Sequence, residues 1–512
     1  MEIINIAIVV AYLAAMLAFG WWGKSRTKNS SDYLVAGRRL GPMLYTGTMA
    51  AVVLGGASTV GGVGLGYQHG ISGAWLVIAI GVGVMLLSLA FAPVLQRLKI
   101  FTVSQMLTLR YGNHNATNAS GVVMLAYTLM LCATSTGAYA TIFIVLFGWE
   151  REASIAVGGA IVLVYSTIGG MWSITLADQV QFVIKTVGVF ALMLPFTIAA
   201  AGGFGGLSGG IEERARQAFF SWDGIGVQTI ITFFVVYTLG LLIGQDIWQR
   251  VFTARTPRVA RWGGATAGFY CVLYGIAGAV IGMAARVALP EIDLTQGGKD
   301  VVYAEVAMNL LPVAVGGIVL AAAVAAMMST ASGALIAAAT VARTDVTPFV
   351  AGWFGKKIEV NSGTNPEHDV RANRWWVLGL GVVTILLAIM VKDVVAALTI
   401  AYDILVGGLL VAILGGLLWK RGNGTGAAWS MAAGTLFTLG TMIILEIQGD
   451  APYDGVYANE PIYVGLAASI VVYVAVSLAT PATSRDVTAA WEDRVAGRVQ
   501  TEGVSLEETA AR

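Results

Sequence analysis

Charge is scarce in this sequence. Asp, Glu, Lys and Arg make up 12% of its 512 residues, about half the share of a soluble globular chain. The net charge is +1 and no basic block stands out, so nothing points to nucleic acid. Cysteine is almost absent: Cys132 and Cys271 both lie in apolar runs and read as small buried hydrophobes. The histidines are His69, His114 and His368, scattered in loops, and no paired carboxylates accompany them. No catalytic residue is therefore assigned, and an enzyme is the reading least supported. No GxxxxGK[ST] occurs, which argues against an ATP-driven pump.

What is present is apolar. Hydrophobic residues reach 57%, with 64 glycines and a mean hydropathy of +0.77. Apolar runs of about twenty residues recur from end to end, the mark of an all-α polytopic membrane protein. The run from Ile3 to Gly23 lacks a basic leader and a small-residue cleavage site, and is read as a retained helix. Thirteen spans are expected, at 2–23, 42–66, 71–96, 120–148, 152–172, 176–201, 225–246, 262–288, 311–343, 374–391, 394–418, 425–447 and 460–481. With the N-terminus outside, and residues at span ends counted with the adjoining loops, the cytoplasmic side holds 23 of the 30 Lys and Arg residues, the outside six, and one, Lys185, falls in the interior of a span. That asymmetry supports the topology. Residues 1–482 then form the transmembrane domain and 483–512 a cytoplasmic tail, while 202–224 contains a short amphipathic helix outside.

In the ninth span, Ala326, Ser329 and Thr330 stand at i, i+3 and i+4 and share one helix face. Two readings are open. Small and hydroxyl residues let helices approach closely, with hydroxyls bonding back to the preceding turn. Alternatively, the hydroxyls help strip a hard cation of water, and a partner with interrupted backbone completes the shell. The second span offers such a partner, with Gly55, Gly56, Gly61, Gly62, Gly64 and Gly66 close together. Each glycine costs about 1 kcal/mol against alanine in a helix interior. A break there frees the carbonyls of Ala51 and Leu54, whereas close packing without unwinding is the alternative.

Several stretches together resemble the sodium/solute symporter family, from about residue 5 to 480. They are DYLVAGRRLGP (32–42), the glycine-rich second span, SQMLTLRYG (104–112), GGMWSITLADQVQ (169–181), GQDIWQRVFTA (244–254), AAMMSTASG (325–333) and WKRGNGTGAAWSMAAG (419–434). The resemblance implies a LeuT-type core of two inverted five-helix repeats, about 42–201 and 225–418. It implies a sodium site made of the carbonyls of Ala51, Leu54 and Ala326 and the hydroxyls of Ser329 and Thr330. A second sodium, found in some members, would use Asp178 and Ser332 beside Ser329, although the last hydroxyl position is Gly333 here. Lys185, two turns beyond Asp178, either snorkels or faces protein.

The resemblance also implies a solute neighbourhood of Gly55, Gly56, Ala57, Ser58, Tyr127, Tyr237, Thr238, Leu242 and Tyr402. Asp403 joins it as counter-ion, proton carrier or structural hydrogen-bonder, and Asp246 reads as a cap or gate near its helix end. Against the proline symporters the chain departs: their Asp beside the break is Val53, and their Trp, Tyr and Pro on the seventh span are Thr238, Leu242 and Asp246. GGMWSITLADQVQ and WQRVF look closer to choline-type members, but only two tyrosines can be placed for a cation cage. The expected function is sodium-coupled import of a small organic solute by alternating access at the cell membrane. Proton coupling, an amine or choline substrate, and a channel or sensor are the alternatives. Expected partners are the solute, sodium and the lipid bilayer, with no obligate protein partner evident.

Overall fold

A backbone that crosses hydrocarbon must satisfy its own hydrogen bonds, so apolar runs of this length become helices. The computed structural model describes residues 2–498 except 113, 212, 293, 295–297, 357, 359 and 361–364; the tail expected beyond 498 lies outside the described residues. Among the described residues there is no strand, and one isolated bridge joins Leu40 to Ala254.

The elements that matter here are α1 (Glu2–Arg26), α2 (Pro42–Val53), α3 (Gly62–His69), α4 (Trp75–Leu86), α5 (His114–Gly137) and α6 (Arg151–Thr186). They continue with α7 (Val227–Leu241), α8 (Gln245–Thr253), α9 (Pro257–Ala288) and α10 (Val313–Val341). The last four are α11 (Pro366–Met390), α12 (Val394–Leu418), α13 (Gly424–Gln448) and α14 (Glu460–Ala479).

Ten helices among the described residues are long and apolar enough to cross a membrane, or eleven with one bent pair counted as a span. Thirteen spans were expected, and the difference has a physical source. Two of the ten, Ala57–Leu98 and Arg151–Ala200, each contain a glycine at positive φ, Gly70 (φ 67°, ψ −146°) and Gly170 (φ 57°, ψ −144°). L side chains avoid that backbone region. At Gly170 the chain turns back: the Ser173 hydroxyl donates to the Tyr165 carbonyl at 2.9 Å, atoms that a straight helix would hold about 12 Å apart. At Gly70 it does the same, since α9 packs Gly282 on Val63 and Tyr67 but Gly275 on Val77 and Gly268 on Met85. Helix length therefore counts fewer crossings than chain direction does.

Two helices are broken instead of reversed. After α2 the backbone leaves helical geometry at Leu54 (φ −93°, ψ 78°), and the glycine pair 55–56 follows. Helices α7 and α8 meet at a 45° bend, with Gly244 extended (φ −65°, ψ 131°). Between them runs α10, whose alanines and glycines are buried from Gly316 to Val341, so neighbouring backbones come close. On the far side, Leu386, Leu436, Ile447 and Val471 of α11, α13 and α14 are more than half exposed. A lipid-facing belt of that kind would be unfavourable in water.

Candidate solute and cation site

Ending α2 at Leu54 strips the last carbonyls of their intrahelical partners. Those carbonyls meet the hydroxyl face of α10. Ser329 Oγ donates to the Ala51 carbonyl at 2.7 Å and lies 2.9 Å from that of Ala326. Thr330 Oγ1 donates to the Val52 carbonyl at 2.6 Å, a contact not read from the sequence. The oxygens expected as one sodium shell thus lie together at the junction of α2 and α10, all buried.

A side chain of the protein already sits among them. The Lys185 ammonium donates to the carbonyls of Ala51 at 2.9 Å and Leu54 at 3.2 Å, and to Ser329 Oγ at 3.3 Å. Lys185 is fully buried, so of its two expected fates it faces protein. The signal was available: it is the one basic residue in the interior of a span, on the helix that the resemblance places beside a second sodium.

Asp178, the expected acid of a second ion position, is also fully buried. Its Oδ2 accepts from the Arg250 guanidinium at 3.4 Å and from the Thr48 hydroxyl. A Cβ at Gly333 would come 2.9 Å from an Arg250 nitrogen, so the guanidinium stands beside the position where the expected hydroxyl is missing. Ser332 donates to the Ser329 carbonyl at 3.2 Å. The residues expected around a second sodium are therefore engaged by Arg250, Thr48 and backbone.

Beside the first break lies a narrow cavity, lined by Gly55, Gly56, Ala57, Ser58, Tyr402, Thr330 and Asp246 among others. Glycine at 55 is obligatory, because a Cβ would fall 2.6 Å from Thr330 Oγ1. Five of the expected solute neighbours line this space, and five stand behind it. The Tyr127 hydroxyl donates to Asp246 Oδ1 at 2.9 Å, and its ring meets Tyr402 edge-on at 5.6 Å. Tyr237 packs on Tyr402 at 5.3 Å and shares a 2.9 Å hydrogen bond with Thr399. Thr238 donates to the Ala79 carbonyl at 2.6 Å, and the Leu242 carbonyl accepts from the Trp248 indole at 2.7 Å. Asp403 and Tyr237 line a second, wider cavity of about 310 Å³ with His69, Lys299 and Tyr457.

From the sequence, Asp246 reads as a cap or gate near its helix end. It occupies the first turn of α8, just past the break at Gly244, is 2% exposed, and lines the inner cavity. Its nearness to a glycine break like the one at 55–56 was the signal. At the wider cavity's margin, Lys299 pairs with Asp393 at 3.2 Å. Burial pushes the neighbouring Asp300 carboxyl up to about 6, with Lys299 opposing the rise and Asp393 adding to it.

Against known proteins, the model of the "Sodium:solute symporter family" matches residues 33–434. The "High-affinity proline transporter PutP" of Bacillus subtilis is 24% identical over 490 residues, covering 93% of this chain and 98% of its own. The "Sodium/proline symporter" of Escherichia coli is 25% identical, covering 90% and 91%. Among solved structures, a Na⁺-coupled sialic acid symporter in a substrate-bound outward-open state superposes with a TM-score of 0.78 at 17% identity, covering 94% of this chain and 98% of that one. MhsT in complex with L-phenylalanine gives 0.51 at 13%, covering 85% and 98%. Both likenesses concern the fold.

Proposed function

This chain belongs to the sodium:solute symporter family, and from that premise we propose that it imports a small organic solute carrying a protonated amine, held against Asp246. The chain is a multi-pass membrane secondary transporter with the LeuT-type, alternating-access fold, and not an enzyme. Sodium is the coupling ion that family membership implies. In the proposed arrangement the repeats are about 42–201 and 225–418, the N-terminus is outside at the cell membrane, and the tail is cytoplasmic.

The observation that supports the amine is the Asp246 carboxylate, buried where the second broken helix restarts and facing the cavity of the first. A carboxylate away from water needs a positive partner or several hydrogen bonds. Tyr127 supplies one side-chain donor, which leaves capacity for a solute ammonium. The relatives named for proline carry a solute whose ring nitrogen is itself a protonated amine, although the pocket differs at Val53, Thr238 and Leu242 and at Asp246 itself, where the resemblance gives them Pro. Tyr402 closes one wall of the cavity, and the ring gives an apolar and cation-friendly surface. Alternating access then exposes this space to either side as the repeats rock, each ligand shifting the balance by its different affinity for the two states.

A thermal-shift screen of the purified protein against amines, amino acids and monocarboxylates tests the reading. Stabilisation by nitrogen-bearing solutes, lost in Asp246→Asn, is the expected result. Stabilisation by monocarboxylates alone would sink it. A second reading, transport without sodium at the α2–α10 junction, is favoured by one observation, the position of Lys185.

A further inference from the structure

The oxygens where α2 breaks against α10 are neutral: two backbone carbonyls and a hydroxyl lie nearest the Lys185 nitrogen, at 2.9, 3.2 and 3.3 Å. A set of uncharged oxygens turned inward from water is stabilised by one positive charge and destabilised by two, because like charges sharing ligands repel strongly where water cannot screen them. Here the positive charge is covalently attached. Lys185 lies on α6, and its whole side chain is buried. It makes no salt bridge among the described residues. Asp178, two turns away on the same helix, bonds Arg250 and Thr48 through Oδ2, while its buried Oδ1 has no hydrogen-bond partner among the described residues. The Asp178 carboxylate acts on the ammonium through space, and Cys271 of α9 does so more weakly, whereas α2 and α10 meet it directly with the oxygens just named. The ammonium's hydrogen-bond partners are thus the atoms that a coupling ion would use.

We propose that the Lys185 ammonium is the resident cation of this site, a tethered charge standing where sodium would stand, so that sodium does not bind there in the native chain. The side chain ties α6 to the broken end of α2 and to α10, joining the two repeats as a bound ion would. One property differs. An ion leaves when the site opens to the cytoplasm, and its occupancy follows the sodium gradient. A tethered ammonium cannot leave, so this junction is held together whatever the sodium concentration. The inference takes its meaning from the transporter reading but rests on the geometry of this one junction.

The test uses the purified full-length protein, with radioactive sodium binding and thermal unfolding measured in NaCl against KCl at equal ionic strength. The expected wild-type result is that Ser329→Ala changes neither the sodium binding nor any sodium-specific part of the unfolding shift. Lys185→Ala, which empties the space between the oxygens, is expected to gain saturable sodium binding and a sodium-specific rise in unfolding temperature, both abolished by adding Ser329→Ala. Saturable sodium binding by the wild type that Ser329→Ala removes would overturn the inference. So would a folded Lys185→Ala protein that still ignores sodium, for the lysine would then be a structural tie only. If Lys185→Ala does not fold, the wild-type measurement with and without Ser329→Ala decides alone. Uphill solute uptake into proteoliposomes, under a sodium or any other ion gradient, is scored separately; its failure would count against the transporter reading and leave the sodium result standing.

Discussion

Two broken helices face each other across the centre of this molecule, and they present opposite polarity. The first, at Leu54, ends a helix, so carbonyl oxygens are left over. Those oxygens are met within the chain by a hydroxyl and an ammonium, Ser329 and Lys185. The second, at Gly244, restarts a helix, so amide N–H groups are left over, and the acid in that first turn is Asp246. A carboxylate is stabilised there, yet its charge is not cancelled by a contacting base, since its side-chain partner is the Tyr127 hydroxyl. The same device gives a junction satisfied from inside and a pocket that waits for a charge from outside. In the proposed reading, that contrast separates a structural centre from a recognition centre.

The contrast breaks most completely at the glycine the two centres share. Gly55→Val places a branched side chain where a single Cβ already approaches Thr330 Oγ1 to 2.6 Å and Ser135 Oγ to 2.9 Å. Uptake into proteoliposomes should fall to background while the protein still inserts and purifies. Retained uptake would show that the cavity beside Gly55 is not the path. Next in size is Asp246→Asn, which keeps the shape and the Tyr127 contact but removes the charge. Truncating one side of a buried charge pair costs about 2–5 kcal/mol, so KM for an amine should rise by about tenfold or more. A neutral solute that tolerates the change equally well would deny Asp246 its role as counter-ion.

On the other side of the comparison, Ser329→Ala removes one of the three oxygens around Lys185 and the donor to Ala51. Leaving buried polar partners unpaired costs about 1–3 kcal/mol. The unfolding temperature should drop measurably, and by the same amount in NaCl and KCl. Thr330→Ala should behave alike through loss of the Val52 contact, with an added effect on uptake because Thr330 also lines the solute cavity. A drop confined to NaCl would return the junction to sodium.

Much of this arrangement was legible in the sequence because it depends on residue types that have few other uses. The glycine cluster from 55 to 66 marked the first break, and the spacing of Ala326, Ser329 and Thr330 marked the face that meets it. A count by helix length merges spans that reverse at Gly70 and Gly170. What the sequence could not give was reach. A lysine stem can place its charge several ångströms in any direction, so Lys185 could be assigned to a helix but not to a partner. The glycine at 333 read as a gap in a second ion site, and only packing reveals Arg250 in the adjoining space. The cavity beside Asp246 was hidden for a related reason: it follows from the break at Gly244, and a single glycine announces a break less clearly than six.

The smallest expected effect supplies a control for Asp246. Asp300 is another buried carboxylate close to the first broken span, its Oδ1 being 3.5 Å from where a Cβ at Gly61 would stand, but it belongs to the rim and has Lys299 close by. Its carboxyl is raised from 3.8 to about 6, burial outweighing Lys299. A raised acid favours folding while protonated, so its contribution is intact below 3.8 and fades as pH climbs through about 6. Asp300→Asn, neutral at every pH and still able to accept from the Val394 amide, should therefore match the wild type near pH 4 and exceed it in stability near pH 8, by about 3 kcal/mol at most. Thermal unfolding at the two pH values measures this. Uptake of an amine should be unchanged, in opposition to Asp246→Asn. If Asp300→Asn impaired uptake as strongly, any buried negative charge near a break would serve, and the special position of Asp246 at the restart of its helix would no longer explain recognition.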